Sequence, residues 1–277
     1  MITVNQLGLA PRLEPLDFSL PLGKVLHVIG PNGCGKSTLL KLLSGELTAS
    51  SQGKVLINAP SSAYLDVNKA PSASSERALS LLDVTVKEQA RYRAYLSQQS
   101  MPSFAVPVYH YLHLSCPSNA SRAKCEEAMN QVVEALSLAD KLGQAVTQLS
   151  GGEWQRVRLA GSALQVWPSL NPDACLWLLD EPAAPLDVAH ANQCHQLIQS
   201  MADQGIGVIV ANHDLNRALY QGHWVLMLKQ GKLQALGASE QQMTAPALSA
   251  LYDTEVVRIT HEQQAYLLYP AQKTEPS

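Results

Sequence analysis

The segment at positions 30–38 combines glycines, a lysine and two hydroxyl side chains in a spacing that suits phosphate binding. With the pattern G-x-x-x-x-G-K-[ST], it consists of Gly30, Pro31, Asn32, Gly33, Cys34, Gly35, Lys36, Ser37 and Thr38. Glycines let successive backbone N–H groups converge on phosphate oxygens, Lys36 reaches the β- and γ-phosphates, and the Ser37 hydroxyl can bind Mg²⁺. The segment predicts a nucleoside triphosphate site in which Cys34 supplies a backbone amide and has no redox role.

Three further polar groups follow apolar runs that are typical of buried strands. Asp180 and Glu181 come directly after the run 175–179, and His213 follows the run 208–211 by two residues. In parallel sheets, ligands bind beyond the carboxyl ends of the strands, where these side chains and Lys36 would gather. Asp180 is predicted to hold Mg²⁺ through water, Glu181 to be the general base for the attacking water, and His213 to orient that water or donate to the γ-phosphate. The alternatives are that Asp180 and Glu181 merely cap a strand or the next helix, and that His213 is structural, as a lone histidine after a strand usually is.

A second anion site is predicted at 149–156, which reads LSGGEWQR. Ser150, Gly151 and Gly152 precede a helix predicted from the apolar spacing of Val157, Ala160 and Leu164. The exposed N–H groups at such a helix start favour an anion. Nothing in the composition tells whether that anion is bound by the same chain or by another.

The elements that must position these groups indicate an α/β fold. A strand at 24–29 precedes the glycine loop, and leucines at helical spacing follow it over 39–43. Strands at 175–179 and 206–211, joined by a helix, form a βαβ pattern with parallel strands. The spacing of the apolar residues over 129–136 predicts a helix within a helical region of about 50 residues that interrupts the sheet.

Further segments complete this organisation. A strand is predicted at 54–57, a Ser/Ala/Pro-rich surface excursion at 59–80, and a terminal hairpin at 224–229 and 232–235. The excursion is interpreted as a tolerated surface loop.

Composition excludes several classes of protein. The chain has 277 residues, a net charge of −3 and 46% hydrophobic residues, so we expect a globular protein without a nucleic-acid partner. Its longest apolar run, 205–211, is far shorter than the roughly 20 residues that cross a bilayer, and the start MITVNQ does not resemble a signal peptide. The five scattered cysteines indicate neither a disulfide framework nor a zinc site.

Together with Gln98, these motifs resemble the ATP-binding cassette (ABC) family over about residues 1–240. The resemblance implies a P-loop NTPase fold, with a RecA-like parallel core, an antiparallel β subdomain and an inserted α-helical subdomain. The ABC ATPase domain is expected at 1–244, with its core at about 1–98 and 168–244 and the helical subdomain at about 99–167. Residues 245–277 would form a C-terminal extension.

The family resemblance also implies roles for individual residues. In that family, the segment that matches Ser150–Gly151–Gly152 contacts the γ-phosphate held by the other copy of a head-to-tail dimer. Gln98 matches a glutamine that senses Mg²⁺ and the attacking water, and Asp187 lies in a loop that crosses the dimer interface. The expected cofactors are ATP and Mg²⁺, and the expected metal-binding residues are Ser37, Gln98 and Asp180.

The implied partners are a second copy of the chain, two transmembrane permease subunits and, indirectly, a periplasmic substrate-binding protein. The chain would lie peripherally on the cytoplasmic face of the bacterial inner membrane. A groove between Gln98 and the helical region near Tyr109 would receive a cytoplasmic helix of the permease.

The segments 93–99, 107–112 and 149–160, and the tail 251–269, resemble ATPase subunits of bacterial cobalamin importers. Siderophore and haem importer ATPases share much of this pattern, so a siderophore or haem is the alternative to cobalamin as the transported substrate. A soluble ABC ATPase of iron–sulfur cluster assembly is the alternative from a different class. A P-loop kinase would give no reason for the LSGGEWQ segment.

Two departures from the family pattern bear on the site. The family usually places an aromatic ring against adenine, yet residues 1–29 offer only Phe18, whose alternation with leucines predicts a core position. Arg12 and Leu13 are then the candidates to cover the base. The hydroxyl-bearing residues common after the catalytic glutamate are replaced at 183–185 by Ala, Ala and Pro.

Overall fold

The structure is a computed structural model that describes residues 1–49, 53–57, 79–98 and 104–270. Its strands are β1 (Ile2–Leu9), β2 (Leu13–Leu20), β3 (Val25–Ile29), β4 (Lys54–Ile57), β5 (Leu79–Ser80), β6 (Arg93–Leu96), β7 (Leu176–Asp180), β8 (Gly207–Ala211), β9 (Trp224–Lys229), β10 (Lys232–Ala238), β11 (Val257–His261) and β12 (Gln264–Leu268). Its helices are α1 (Lys36–Leu43), α2 (Val86–Tyr92), α3 (Val108–Ser115), α4 (Arg122–Ala135), α5 (Gly151–Gln165), α6 (Val188–Asp203), α7 (Leu215–Gln221), α8 (Ser239–Gln242) and α9 (Ala245–Tyr252).

The central sheet has the strand order β10-β9-β3-β8-β7-β6, and only the β9–β10 pair is antiparallel. Every residue of β3, β7 and β8 is buried, as expected for parallel strands covered on both faces. Asp180 pairs with Ala211 in the register of β7 and β8. The carboxyl ends of β3, β7 and β8 therefore lie side by side, which brings the three predicted catalytic segments to one edge of the sheet.

An antiparallel sheet, with the order β2-β1-β4-β5, packs beside this core. Phe18 is only 5% exposed and belongs to the apolar cluster of this sheet, which confirms its predicted core position. The excursion predicted at 59–80 lies outside the described residues, apart from Leu79–Ser80, which pairs with β4.

Helices α3, α4 and α5 form the helical region that the sequence predicts between β6 and β7. The apolar face predicted at 129–136 lies on α4 and its C-cap, and Met129, Val132, Val133 and Leu136 are all buried. The rings of Tyr111 on α3 and Trp154 on α5 meet edge to face at 5.1 Å between centroids. In the described part of the chain, none of the helices combines the length and apolar content needed to span a bilayer.

The chain continues well beyond the predicted hairpin at 224–235. That hairpin is present as β9 and β10, at one edge of the central sheet. It is followed by α8, α9 and a separate two-stranded sheet of β11 and β12. Side chains of α9 and β12 share an apolar cluster with Ile29 of β3 and Leu215 of α7, so the segment is packed onto the core.

Two buried histidines, His27 and His195, should make the stability of the fold depend on pH. Burial, with nearby positive groups adding to it, lowers the pKa of His27 to about 3 and that of His195 to about 4, from 6.5. Below pH 6.5 the unfolded chain protonates both rings, while the folded chain keeps them neutral until the pH reaches their lowered pKa values. We therefore expect the free energy of unfolding to decrease as the pH falls below 6.5, by up to about 1.4 kcal/mol per pH unit for each histidine.

Urea unfolding at a series of pH values measures this slope. His195→Gln should make the slope shallower, whereas His110→Gln, which changes an exposed ring, should leave it as in the wild type. Equal pH slopes in the wild type and both variants would contradict the prediction.

Candidate nucleotide-binding and catalytic site

The glycine loop connects β3 to α1, as predicted. Gly30, Gly33 and Gly35 have φ values of 150°, 74° and 110°, a region of backbone conformation that L side chains rarely adopt. A Cβ atom at Gly30 would lie 2.0 Å from the carbonyl oxygen of Leu228, so only glycine fits there. Gly35 is the N-cap of α1 and has no side chain to bond the first N–H groups of the helix. The loop thus directs unpaired N–H groups and the positive end of α1 toward a ligand.

Lys36 lies across this loop with its side chain largely buried. Its Nζ donates hydrogen bonds to the carbonyl oxygens of Gly30 at 2.7 Å and Pro31 at 3.1 Å, and the residue is 6% exposed. The first turn of α1 contains no acidic residue. A buried ammonium group that is bonded to neutral carbonyls is stabilised by an anion, and triphosphate oxygens supply that charge.

Asp180 ends β7 with its carboxylate buried. The residue is 2% exposed, and neither carboxyl oxygen forms a well-aligned hydrogen bond within the described residues. Burial raises its pKa above the usual range, and the nearby Ser37 hydroxyl offsets part of that effect. A cation would satisfy these oxygens. Mg²⁺ needs only one or two protein ligands beside water and phosphate, so Ser37 and Asp180 fit it although no cluster of three or more His, Cys, Asp or Glu occurs in the described residues.

Glu181, His213 and Gln98 meet beside the loop. Oε1 of Glu181 is 2.8 Å from Nε2 of His213, and Nε2 of Gln98 donates to Oε2 of Glu181 at a long 3.5 Å. Glu181 has a φ of 51°, which is unusual for a residue with a side chain. The structure therefore brings together the three predicted catalytic side chains.

Two cavities adjoin at this point. One, of about 430 Å³, is lined by Arg12, Asn32, Gly33, Gly35, Lys36, Ser37, Thr38, Gln98, Glu181 and His213. The other, of about 470 Å³, is lined by Lys41, Gln98, Gln155, Asp180, Glu181, Ala184 and Pro185. Gln98 and Glu181 belong to both linings, so the predicted water-activating groups border both cavities. Of the two candidates for covering the base, Arg12 is exposed at the first cavity and Leu13 is buried.

Ser150, Gly151 and Gly152 lie elsewhere, at the start of α5. Ser150 is the N-cap: its Oγ accepts the N–H of Glu153 at 3.3 Å, and Glu153 accepts the N–H of Ser150 at 2.8 Å. Hydrogen bonds from Lys141 and Ser150 lower the pKa of Glu153 to about 2, so this capping box stays ionised. Within the described residues, none of the three lines either cavity. One copy of the chain does not bring them to the phosphate loop.

Asp187 is also apart from the cavities within the described residues. It is the N-cap of α6, and its carboxylate accepts the N–H of His190 at 2.9 Å. Its side chain is 65% exposed. In one copy it stabilises a helix start at the surface, next to the Ala184 and Pro185 of the second cavity.

A buried arginine and glutamine on α5 form a link that the sequence analysis missed. Arg158 donates to the carbonyl oxygen of Ser97 at 2.6 Å and to Gln155 Oε1 at 3.1 Å. Gln155 in turn donates to the carbonyl oxygen of Pro182 at 3.0 Å. These bonds connect Ser97, which precedes Gln98, to Pro182, which follows Glu181. Polar side chains three positions apart on an otherwise buried helix were the available signal.

Comparison with known proteins gives the same reading of these motifs. A family model described as ABC transporter matches residues 13–184. The proteins named vitamin B12 import ATP-binding protein BtuD from Vibrio campbellii and Vibrio parahaemolyticus are 45% and 43% identical, over 97% of this chain and 100% of each relative.

Solved structures agree on the fold. An ATP-binding subunit of an ABC transporter is 21% identical, with a TM-score of 0.68 over 92% of this chain and 95% of the other. An ATP-binding cassette described as a dimer in a post-hydrolysis state with ADP and Pi is 19% identical, with a TM-score of 0.66 over 87% and 99%. The predicted α/β fold and family are confirmed: the chain belongs to the ABC transporter family.

Proposed function

We propose that the chain is the ATP-hydrolysing subunit of an ABC importer that powers uptake of vitamin B12 through a transmembrane permease. One observation carries the catalytic part of this proposal. The phosphate loop, Asp180 and the Glu181–His213–Gln98 group adjoin one another, while Ser150–Gly152 present a helix start away from them. The names of relatives at 43–45% identity over nearly the whole chain support vitamin B12 as the transported substrate.

The loop would bind the triphosphate of ATP. Its backbone N–H groups and Lys36 would hold the β- and γ-phosphates, and Lys36 would exchange its bonds to the Gly30 and Pro31 carbonyls for phosphate oxygens. Mg²⁺, held by Ser37 and Asp180, would neutralise charge that develops on the phosphate oxygens. Arg12, exposed at the same cavity, is positioned to stack on the base in place of an aromatic ring.

Glu181 would act as the general base. It would accept a proton from the water that attacks the γ-phosphorus, while the bond to the β-phosphate oxygen breaks and ADP leaves. His213, 2.8 Å from its carboxylate, would orient that carboxylate and the γ-phosphate. Gln98 would position the water from the other side.

Two copies of the chain would complete each site. In a head-to-tail dimer, Ser150, Gly151 and Gly152 of one copy would donate to the γ-phosphate bound by Lys36 of the other, and Asp187 would lie near the contact. A Cβ added at Gly151 would meet no other atom within 4 Å, so there is open space beside this residue for an approaching phosphate. Loss of the γ-phosphate would remove the link between the copies and open the dimer.

The transmembrane partner would dock on the helical region near Gln98. Phe104 and Leu114 there are 59% and 76% exposed, which favours an apolar contact with a cytoplasmic helix of the permease. Arg158 links the backbone before Gln98 to α5, and so offers a path from the docking groove to the site. The chain would thus lie peripherally at the cytoplasmic face of the inner membrane, with the periplasmic binding protein an indirect partner.

Growth that depends on imported cobalamin tests the transported substrate. Deletion of the gene in the native host should abolish such growth, and the wild-type chain, but not Glu181→Gln, should restore it. Unimpaired cobalamin uptake with a loss of siderophore or haem uptake would overturn the assignment in favour of that alternative. Recovery of the chain without any membrane protein would instead favour the soluble iron–sulfur alternative.

A further inference from the structure

The C-terminal segment 245–270 contacts the nucleotide loop directly. The hydroxyl of Tyr252, the last residue of α9, accepts a hydrogen bond from the backbone N–H of Gly30 at 3.0 Å. Gly30 is the first residue of the loop, and its carbonyl oxygen accepts the bond from Lys36 Nζ at 2.7 Å. Gly30 therefore bonds the C-terminal segment through its N–H and the phosphate-binding lysine through its carbonyl oxygen.

Packing reinforces this contact from a second direction. Ile29, which precedes the loop, is fully buried in an apolar cluster with Leu248 and Leu251 of α9. The ammonium group of Lys229 donates to the carbonyl oxygen of Ala250 at 2.6 Å and to Asp253 at 2.7 Å, which fixes the end of α9 against β9. Contacts with β3 and β9 thus fix the end of α9 that carries Tyr252.

The same segment also holds the helix that follows His213. The side chain of Asn216 on α7 accepts the N–H of Leu267 at 2.8 Å and donates to its carbonyl oxygen at 3.2 Å, as a neighbouring strand would. The rings of Tyr220 on α7 and Tyr266 on β12 meet edge to face at 5.5 Å. Segment 245–270 consequently spans from the loop to the turn that carries His213.

We propose that Tyr252 is a positioning residue for ATP binding, through which the C-terminal segment holds the start of the phosphate loop in its binding conformation. This deepens the proposed function and rests on it. Without the hydroxyl, the N–H of Gly30 loses its partner and the loop start gains freedom that ATP binding must remove. The cost falls on nucleotide affinity, because in the described part of the chain Tyr252 bonds to the loop and not to Gln98, Glu181 or His213.

Tyr252→Phe in the assembled transporter tests the proposal, with Tyr266→Phe as the matched control. The control also removes a hydroxyl from this segment and keeps the ring, but that hydroxyl donates to the exposed side chain of Gln264 and not to the loop. We expect Tyr252→Phe to raise the KM and Kd for ATP by about 3- to 10-fold, with kcat within about 2-fold of the wild type. The rise in melting temperature on adding ATP should also be smaller in Tyr252→Phe than in the control.

Each outcome has one meaning. A higher KM and Kd in Tyr252→Phe alone supports the proposal. Unchanged KM and Kd in Tyr252→Phe, or a loss confined to kcat, overturns it while leaving the proposed ATPase function intact. Failure of the wild-type chain to bind ATP would overturn both.

Discussion

Glu181→Gln is expected to reduce steady-state ATP hydrolysis by about 10²- to 10⁴-fold, the usual contribution of a general base. The amide keeps the size of the side chain and can still accept the bond from His213, so the site keeps its shape. ATP affinity should therefore stay within about 3-fold of the wild type. Phosphate release and equilibrium ATP binding, measured on the same preparation, separate the two effects.

Glu134→Gln, an equivalent change at an exposed position of α4, is the control and should hydrolyse ATP as the wild type does. Because ATP stays bound without being cleaved, the Glu181→Gln variant should also accumulate as an ATP-dependent dimer. Substantial turnover by Glu181→Gln would show that another group takes the proton.

Lys36→Ala is expected to lower kcat/KM for ATP by about 10²- to 10³-fold. The variant loses a largely buried ammonium group that reaches the phosphates, both in the ground state and as charge develops on them. Unlike Glu181→Gln, it should therefore weaken ATP binding as well as turnover. Binding of a fluorescent ATP analogue and initial rates measure both quantities.

Lys54→Ala is a suitable control, because it removes an exposed lysine from β4, in the antiparallel sheet. Its kcat/KM should equal that of the wild type. If Lys36→Ala bound ATP normally, the loop would hold the nucleotide without its lysine, and the proposed geometry of the phosphates would be wrong.

The sequence predicted those strands and helices whose own residues alternate or repeat according to which side chains are buried. The apolar runs of β7 and β8 and the helical spacing over 129–136 predict elements that the structure contains, because buried strands and amphipathic helices require such patterns. The packing of segment 245–270 was not predictable in the same way. The single contact from Tyr252 to Gly30 spans 222 positions, and no local period encodes it.

The site shows the same division. Residues at strand ends, such as Asp180 and His213, could be placed together because parallel strands align their carboxyl ends. The link through Arg158 could not, since an arginine within a helix is ordinarily exposed and only tertiary packing buries it at 6% exposure. The sequence also did not show that Ser150 lies away from the loop, because that depends on how α5 packs in the folded chain.

In the proposed dimer, each ATP site combines the loop of one copy with the Ser150–Gly152 segment of the other. The most direct test uses purified heterodimers in the assembled transporter, with a different affinity tag on each copy. One heterodimer pairs Lys36→Ala with Ser150→Arg, and the second pairs the wild type with a copy that carries both changes. Both contain the same two substitutions in total, so general effects on folding or assembly cancel.

In the first heterodimer, one site receives an intact loop from the Ser150→Arg copy and an intact serine from the Lys36→Ala copy, and the other site is doubly damaged. In the second heterodimer, each site carries one defect. If each site is shared between two copies, the first heterodimer should hydrolyse ATP well above the second and above either mutant homodimer. The opposite order, with activity only where one copy is entirely wild type, would show that a single chain forms the whole site and that the site is not shared between two copies.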